Sequence, residues 1–225
     1  MHQSNIVLTV GDDFEMEAAR FVVHAIRSAI ILHGHCTVGL SGGNTPIPLY
    51  RLLRNEKEID WSRVIVFLID ERYVPPDHPD SNQRMIRETL LQSLPIPEEH
   101  ITFPDTTLPL DECVRQYAQA VQDLKPSLLV LGMGDDGHIA SLFPPLPREA
   151  TGSSTVIATR TDRFPVHDRV TVTLRVLLSA DSRLFLLSSA AKYDLLVTLL
   201  QAPHNVSQYP AHALLDERTT WIVRT

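Results

Sequence analysis

Short apolar runs alternate along the chain with longer segments whose apolar side chains recur at helical spacing. In the first of these segments Phe21, Val22, Ala25, Ile26 and Ala29 share one helical face. The helices predicted in this way span residues 14 to about 32, 82–91, 111–124 and 190 to about 200, with a further helix beginning after residue 45. The predicted strands are residues 6–10, 36–40, 64–69, 128–131, 155–159, 170–174, 184–188 and 221–223.

The run 64–69 reads VIVFLI and is apolar on both faces, as in a parallel strand that is covered on both sides. Regular alternation of strands with helices predicts an α/β fold, here a single domain over residues 1–225 with a mostly parallel, Rossmann-like sheet flanked by helices. In open sheets of this kind ligands bind beyond the carboxyl ends of the strands. The unusual residues of this sequence follow its predicted strands directly, so we expect a site at that edge.

Composition limits the partners that we expect. The chain has 225 residues, 44% of them hydrophobic, which is enough for a core without disulfides or metal. With 20 basic and 27 acidic residues its formal charge is −7, which disfavours nonspecific nucleic-acid binding. A local group of Arg and Lys side chains can still hold an anion in such a protein. No nucleic-acid partner is therefore expected, whereas a small anionic ligand is compatible with the sequence.

Two further features concern location. Cys36 and Cys113 are far apart in sequence and predict free thiols in a reducing compartment. The N-terminal residues show no leader pattern, and no apolar run approaches the roughly 20 residues of a membrane span. We expect a cytoplasmic protein without a membrane partner, and the sequence predicts no particular oligomeric state.

A glycine-rich turn follows the second predicted strand. Two glycines beside a helix start can present backbone N–H groups to a phosphate, and neighbouring hydroxyls can add further donors. The alternative is an ordinary strand–helix turn in which Thr45 caps the next helix and Pro46 takes its first position. Both interpretations stay open for this segment, which comprises Ser41, Gly42, Gly43, Asn44 and Thr45.

The same turn matches the G-x-S-x-G pattern, which would make Ser41 the nucleophile of an α/β-hydrolase. In that family several strands and an oxyanion loop precede the nucleophile, whereas one strand is predicted before this one. The best histidine, His138, also lies only two residues after Asp136. We therefore disfavour a serine hydrolase.

Two more segments combine charge with a position after a strand. Asp70-Glu71-Arg72 leaves the VIVFLI strand and is either part of a site or a salt-bridged strand exit, with Ser81 or Asn82 capping a later helix. The segment 132–138, GMGDDGH, leaves the next buried strand. The ordinary pKa of histidine suits His138 to act as a general base, and Asp136 could orient its ring. A glycine-rich turn with a chance histidine is the alternative.

Candidate cations come later in the chain. On a strand Arg169, Thr171 and Thr173 share one face and could meet an anionic ligand, although these residues alone favour an ordinary half-exposed strand. Lys192, at the start of a late helix, is a second candidate or a solvated lysine. The pair His33 and His35 has no third ligand nearby, which favours a loop over a metal site.

Together these segments resemble the 6-phosphogluconolactonase family, which shares its fold with the glucosamine-6-phosphate deaminases. The run ASLFP at 140–144 is similar to the lactonases, since the deaminases usually continue with an Asn-Glu-Pro-like run. Four positions depart from the usual family residues: Asn44, Ile139, Ser189 and Arg224. The matching stretches are LSGGNTP (40–46), IDERYVP with SN (69–75, 81–82), LGMGDDGHIASLFP (131–144), RVTVT (169–173), SAAK (189–192) and YPA (209–211) with Trp221.

The resemblance implies a phosphorylated sugar lactone as substrate, specifically 6-phospho-glucono-1,5-lactone, with no metal or organic cofactor. It implies that His138 activates a water molecule and that Asp136 positions His138. It places the phosphate on the Ser41–Thr45 turn with Arg169 and Lys192, and Asp70 and Arg72 at the substrate. Two rival functions stay open: an amino-sugar phosphate deaminase or isomerase on the same fold, and a non-catalytic sugar-phosphate-binding protein.

Overall fold

The computed structural model describes residues 5–11 and 13–225, so residues 1–4 and Asp12 of the predicted domain lie outside the description. All eight predicted strands are present there, with ends within two residues of those expected. The strands are β1 Asn5–Thr9, β2 Cys36–Leu40, β3 Val64–Leu68, β4 Asp70–Arg72, β5 Ile101–Thr102, β6 Leu128–Leu131, β7 Val156–Arg160, β8 Asp168–Val172, β9 Ser182–Leu187 and β10 Thr219–Arg224. The α-helices are α1 Asp13–His33, α2 Ile47–Leu53, α3 Asn82–Thr89, α4 Leu110–Val121, α5 Leu174–Ser179 and α6 Ala190–Gln201.

Seven strands form one sheet in the order β1-β10-β9-β6-β2-β3-β5, and each neighbouring pair is parallel. This arrangement confirms the predicted α/β class. The structure shows why the VIVFLI run is apolar at every position. Val64, Val66 and Leu68 pack toward α1 and α2, and on the other face Phe67 and Ile69 pack toward α4 and α6. Both faces of the sheet are therefore core. None of the helices in the described ranges has the length and apolar composition that a membrane span requires.

The segments predicted as strands at 155–159 and 170–174 do not join the parallel sheet. They form β7 and β8 of a separate antiparallel sheet, in the order β4-β8-β7. The interpretation of β8 as a half-exposed strand was wrong, because Val170 and Thr171 point to opposite faces and both are fully buried. The strand also ends at Val172, and Leu174, expected within it, begins α5.

The predicted cap of α2 was wrong as well. The helix begins at Ile47, its N-cap is Pro46, and no side chain caps it. Thr45 instead places its hydroxyl 3.1 Å from that of Ser188, at the end of β9. The Thr45 hydroxyl thus links the loop after β2 to the loop after β9 and does not cap α2.

The order of the strands in the sheet reverses direction at the β2–β6 pair. β3 lies on one side of β2, and β9 and β10 lie beyond β6 on the other. Such a change of direction opens a crevice at the carboxyl ends of the two central strands. Ser41 follows β2 and Gly132 follows β6, so both glycine-rich segments of the sequence meet at this crevice.

Candidate active site

A cleft of about 550 Å³ lies beyond the carboxyl ends of β2, β3, β6 and β9. It is lined by all the site residues predicted from the sequence: Ser41, Gly42, Gly43, Asn44, Thr45, Asp70, Arg72, Asp136, His138, Arg169 and Lys192. Most of these segments meet because parallel strands end at one edge of the sheet, and the small antiparallel sheet adds Arg72 and Arg169.

Backbone hydrogen bonds hold the Ser41–Thr45 turn in place. The Ser41 amide donates to the Val130 carbonyl (3.2 Å), and the buried Tyr50 hydroxyl donates to the Ser41 carbonyl (2.8 Å). Gly43 has a φ of 84°, which favours glycine. A Cβ on Gly42 would collide with the side chain of Asn82, so the turn can pack there only with glycine.

Ser41 is buried, and its hydroxyl oxygen has no hydrogen-bond partner among the described residues. A buried hydroxyl without a partner is costly, at about 1–3 kcal/mol. No hydrogen bond joins it to His138 in the described part of the chain, which is the contact that a serine nucleophile and its base would share. The geometry thus favours a ligand-binding hydroxyl over a nucleophile.

Strand alternation separates the charged triplet of β4. Asp70 and Arg72 line the cleft, whereas Glu71 is fully buried behind it. The Glu71 carboxylate accepts hydrogen bonds from the Asn82 and Gln83 amides at the start of α3, both at 2.8 Å. Burial raises the pKa of Glu71 to about 7 in spite of these hydrogen bonds. Ser81 caps α3 as predicted, by accepting from the Arg84 amide.

Two arginines lie side by side at the cleft. Arg72 on β4 is the register partner of Arg169 on β8, so their side chains share a face. Burial lowers the pKa of Arg169, Asp70 opposes that effect, and the charge of Arg72 adds to it. The Nε of Arg169 is buried without a partner among the described residues. Two neighbouring cations with an unused donor form a site that an anion would stabilise.

Two hydroxyls predicted beside Arg169 have other roles. The Thr171 hydroxyl donates to the Val172 carbonyl and accepts from the Ser141 amide. The Thr173 hydroxyl donates to the Ser154 carbonyl at 2.6 Å. The expectation that both threonines face an anion was therefore wrong, because the backbone already uses them.

The turn after β6 fixes His138 against Asp136. The Asp136 Oδ1 atom lies 2.6 Å from the His138 Nδ1 atom and also accepts from the His138 amide at 3.1 Å. Gly134 allows this contact, because a Cβ there would overlap the imidazole ring. Gly137 has a φ of 77° and packs against Tyr209. The glycine density noted in the sequence thus has a steric reason at each of these two positions.

The charge on Asp136 determines the tautomer of His138. Burial by itself raises the pKa of Asp136, but hydrogen bonds from His138 and the charge of Arg163 outweigh it and lower the pKa to about 2. At neutral pH the carboxylate is ionised and can only accept, so the proton of a neutral imidazole lies on Nδ1. The Nε2 atom is then free to take a proton from a molecule in the cleft.

Within the described residues no group of three or more His, Cys, Asp or Glu side chains is arranged to hold a metal ion. His33 ends α1 and His35 follows it on the way to β2, away from the cleft residues. The pair is part of a helix–strand connection, as the loop interpretation expected.

The sequence model of the family described as glucosamine-6-phosphate isomerases/6-phosphogluconolactonase matches residues 10–222. The chain belongs to this family. Its similarity to known members extends over almost the whole sequence. A Dictyostelium discoideum protein named "Probable 6-phosphogluconolactonase" is 34% identical over 224 residues, which cover 96% of this chain and 95% of that protein. A Synechocystis protein named 6-phosphogluconolactonase is 36% identical over 200 residues, covering 84% of this chain and 82% of that protein.

Solved structures agree in fold. A 6-phosphogluconolactonase from Thermotoga maritima superposes with a TM-score of 0.89 at 30% identity, covering 99% of this chain and 100% of that one. A glucosamine-6-phosphate deaminase superposes with a TM-score of 0.85, covering 98% of this chain and 97% of that one. At 20% identity this second likeness concerns the fold alone. The predicted resemblance to the glucosamine-6-phosphate isomerase/6-phosphogluconolactonase family is confirmed.

The positions that depart from the usual residues of the family are mostly outside the cleft. Arg224 contacts Glu15 and lies over the Phe14 ring, and Ser189 is the N-cap of α6. Ile139 is fully buried in the core. Only Asn44 lines the cleft, in the glycine-rich turn.

Arg163 and Phe164 are among the cleft residues that sequence reasoning missed. Arg163 pairs with Asp136, and the Phe164 ring lies beside that of His138, with centroids 6.1 Å apart. Both belong to the connection between β7 and β8, which was expected only as a link between strands. A basic and an aromatic residue side by side, shortly before the candidate Arg169, were the available signal.

Proposed function

We propose that this protein hydrolyses 6-phospho-D-glucono-1,5-lactone to 6-phosphogluconate. One observation carries the proposal: the cleft holds an imidazole fixed by an ionised carboxylate together with a buried, unpartnered arginine donor. The first group suits proton transfer, and the second suits a phosphate. Relatives that are more than 30% identical over most of this chain carry the same activity in their names.

The phosphate would bind between the Ser41–Thr45 turn and the cations Arg169 and Lys192. Arg169 has an unused Nε donor, and Ser41 has an unused hydroxyl. A planar guanidinium suits bidentate phosphate contact, and a lysine adds a point charge. Holding the phosphate at one end fixes the lactone carbonyl at the other, which contributes orientation to the reaction.

The reacting end contains His138 and Asp136. The Nε2 atom of His138 would take a proton from water as the water oxygen attacks C1 of the lactone. The bond between C1 and the ring oxygen then breaks, and the imidazolium returns the proton to that oxygen. Asp136 keeps the ring in the Nδ1–H tautomer and stabilises the transient cation. No covalent enzyme intermediate is needed.

The developing oxyanion needs a hydrogen-bond donor, which either the backbone amides of the turn after β6 or the Arg72 guanidinium could supply. The amides of Gly134 and Gly137 donate within the turn, and that of His138 donates to Asp136. Arg72 is held at the cleft by the Asp80 carbonyl at 3.1 Å. We therefore favour Arg72 as the donor to the oxyanion.

The alternatives fit less well. A non-catalytic sugar-phosphate-binding protein would use the cations but has no need of an imidazole fixed at 2.6 Å from a carboxylate. A deaminase or isomerase must act on protons bound to carbon. The ASLFP run instead packs Phe143 against His138, with ring centroids 4.7 Å apart, and commits Ser141 to Asp70 at 2.6 Å.

We further propose that the reaction belongs to the oxidative pentose phosphate pathway and occurs in the cytoplasm, in a protein formed of one domain. Two buried free cysteines support a reducing compartment. The two core layers pack on opposite faces of one sheet, which supports a single domain.

The test is hydrolysis of the phosphorylated lactone measured against its spontaneous background, in the wild type and in His138→Ala. We expect the variant to lose about 10²-fold or more of the rate, the usual range for a lost general base, with an unchanged circular dichroism spectrum. A wild type that does not exceed the background would refute the proposed function. A folded variant with full activity would remove His138 from the chemistry.

A further inference from the structure

The connection between β7 and β8, residues 161–167, is a braced hairpin at the rim of the cleft. The Thr161 amide donates to the His167 carbonyl (3.0 Å), and the His167 Nδ1 atom lies 2.9 Å from the Thr161 carbonyl. The Arg163 amide donates to the Thr161 hydroxyl (3.2 Å). These bonds fix the base of the hairpin, and its tip carries Arg163 and Phe164 into the cleft lining.

Arg163 and His138 contact different oxygens of the same carboxylate. His138 uses Oδ1 of Asp136 through its amide and its ring, and the Arg163 guanidinium contacts Oδ2. The Asp136 side chain is only 14% exposed, whereas that of Arg163 is 57% exposed. The guanidinium therefore closes the carboxylate from the solvent side, and Asp136 is held at both oxygens.

Phe164 anchors the tip of the hairpin. Its ring is edge-on to His138 and lies 6.1 Å from the ring of Phe143. The Arg169 guanidinium lies over it at 5.8 Å. Because Arg163 and Phe164 are adjacent at the hairpin tip, the contacts of Phe164 also place Arg163 at Asp136.

We propose that Arg163 is a positioning residue for the hydrolysis: by fixing Oδ2 of Asp136 it holds the carboxylate in the orientation that keeps His138 aligned toward the substrate. This inference rests on the proposed function. Without the guanidinium the carboxylate can rotate about its Cβ–Cγ bond and lose its alignment with the ring. Loss of the guanidinium also removes the positive charge that partly offsets the negative charge of Asp136 beside the imidazole.

Other charges share the cleft with His138, namely Asp70, Arg72, Asp80, Asp135, Arg169 and Lys192. None of them hydrogen-bonds to the imidazole in the described part of the chain, where the ring contacts Asp136. Arg163 is thus placed to act on the ring through Asp136, in a way that the remaining cations of the cleft do not share.

The experiment compares Arg163→Ala, Arg163→Lys and the control Arg160→Ala. Arg160 lies at the base of the same hairpin and pairs with Asp168 on the surface, so it tests loss of an exposed ion pair alone. We expect Arg163→Ala to lower kcat about 10-fold through lost orientation, with KM changed less than about twofold. The loss should be equal for phosphorylated and unphosphorylated lactone. The acidic limb of its pH–rate profile should move to higher pH.

Arg163→Lys keeps the charge, so it should keep the wild-type position of the acidic limb and recover part of kcat. Arg160→Ala should match the wild type. Unchanged kcat and pH profile in a folded Arg163→Ala variant would overturn the proposal. So would a rise in KM confined to the phosphorylated lactone, because Arg163 would then be a phosphate ligand.

A second readout does not need the lactone. In ¹⁵N spectra the Nδ1–H signal of His138, assigned with His138→Gln, should shift or broaden in Arg163→Ala and stay in place in Arg160→Ala. An unchanged His138 signal would contradict the role of Arg163 even if the wild type showed no lactonase activity. Absence of activity in the wild type would instead count against the proposed function alone.

Discussion

The hydroxyl of Ser41 illustrates how single residues at this site serve a ligand at some expense to the fold. It is buried without a partner in the described structure, and the same cleft is lined by Arg169, whose Nε is also buried without a partner there. Burying a polar group in this way costs about 1–3 kcal/mol. The cost is tolerated where a ligand supplies the missing partner, and an anion satisfies both a hydroxyl and a guanidinium.

We therefore expect Ser41→Ala to raise KM for the phosphorylated lactone about 10-fold and to leave kcat within about threefold, because a phosphate contact is similar in ground and transition states. The free protein should become slightly more stable in chemical denaturation. Ser62→Ala, at an exposed serine that bonds to Asp60, is the control for serine loss. A collapse of kcat at constant KM would instead identify Ser41 as a nucleophile.

At the scale of single elements, the local sequence pattern predicted where strands and helices lie better than it predicted how the strands pair. Alternation and helical spacing located the eight strands and the main helices, because each element carries its own burial pattern. They did not show that β7 and β8 leave the parallel sheet, since the pattern of a single strand does not reveal which strand it pairs with. That choice depends on the pairing of β8 with β4, which is nearly one hundred residues earlier in the chain.

The connection of β4 to α3 through Glu71 predicts a pH effect on stability. Burial raises the pKa of Glu71 from 4.5 to about 7, so between these values the folded protein binds more protons than the unfolded chain. Stability must then fall as pH rises through this window, by about 3 kcal/mol for this group. Chemical denaturation at pH 5, 6, 7 and 8 measures the change.

Glu71→Gln should lose that part of the slope, whatever its own stability at any single pH. Glu149→Gln, at an exposed position, should keep it. The ten histidines also titrate in this range, so the difference between the two variants is the informative quantity. Equal slopes in both would show that Glu71 is ionised throughout the window.

On the scale of the whole molecule, the fold brings residues that are distant in the sequence together at one edge of the sheet. Most cleft residues come from loops after β2, β3, β6 and β9, and their strand-end positions were sufficient to predict their meeting, whereas Arg169 lies within a strand of the small sheet. The hairpin with Arg163 could not be predicted in this way, because it lies between strands of the second sheet. Its place at the cleft follows from the docking of one sheet against the other.

The sequence also predicts that the assembled site works without a metal. The described residues offer no cluster of three or more ligand side chains, and the proposed chemistry uses His138 as base. Lactone hydrolysis should therefore survive dialysis against EDTA, measured against an undialysed sample. Loss of activity that a divalent cation restores would contradict this mechanism.

The phosphate pocket is the most demanding test of the whole assembly, because it joins segments more than a hundred residues apart. Arg169 stands on the small sheet, Lys192 on α6 and Ser41 after β2, and all three line one cleft. In a chain with a formal charge of −7, such a local group of cations is what a phosphate dianion requires.

The wild type should strongly prefer the phosphorylated lactone to plain glucono-lactone. Arg169→Ala and Lys192→Ala should each reduce this preference about 10-fold or more by weakening the phosphorylated substrate, as loss of a charge-assisted hydrogen bond implies. Lys125→Ala, exposed before β6 at the opposite edge of the sheet, should keep it. Full preference in both cleft variants would mean that the phosphate binds elsewhere, and that Arg169 and Arg72 lie side by side for a reason unrelated to this substrate.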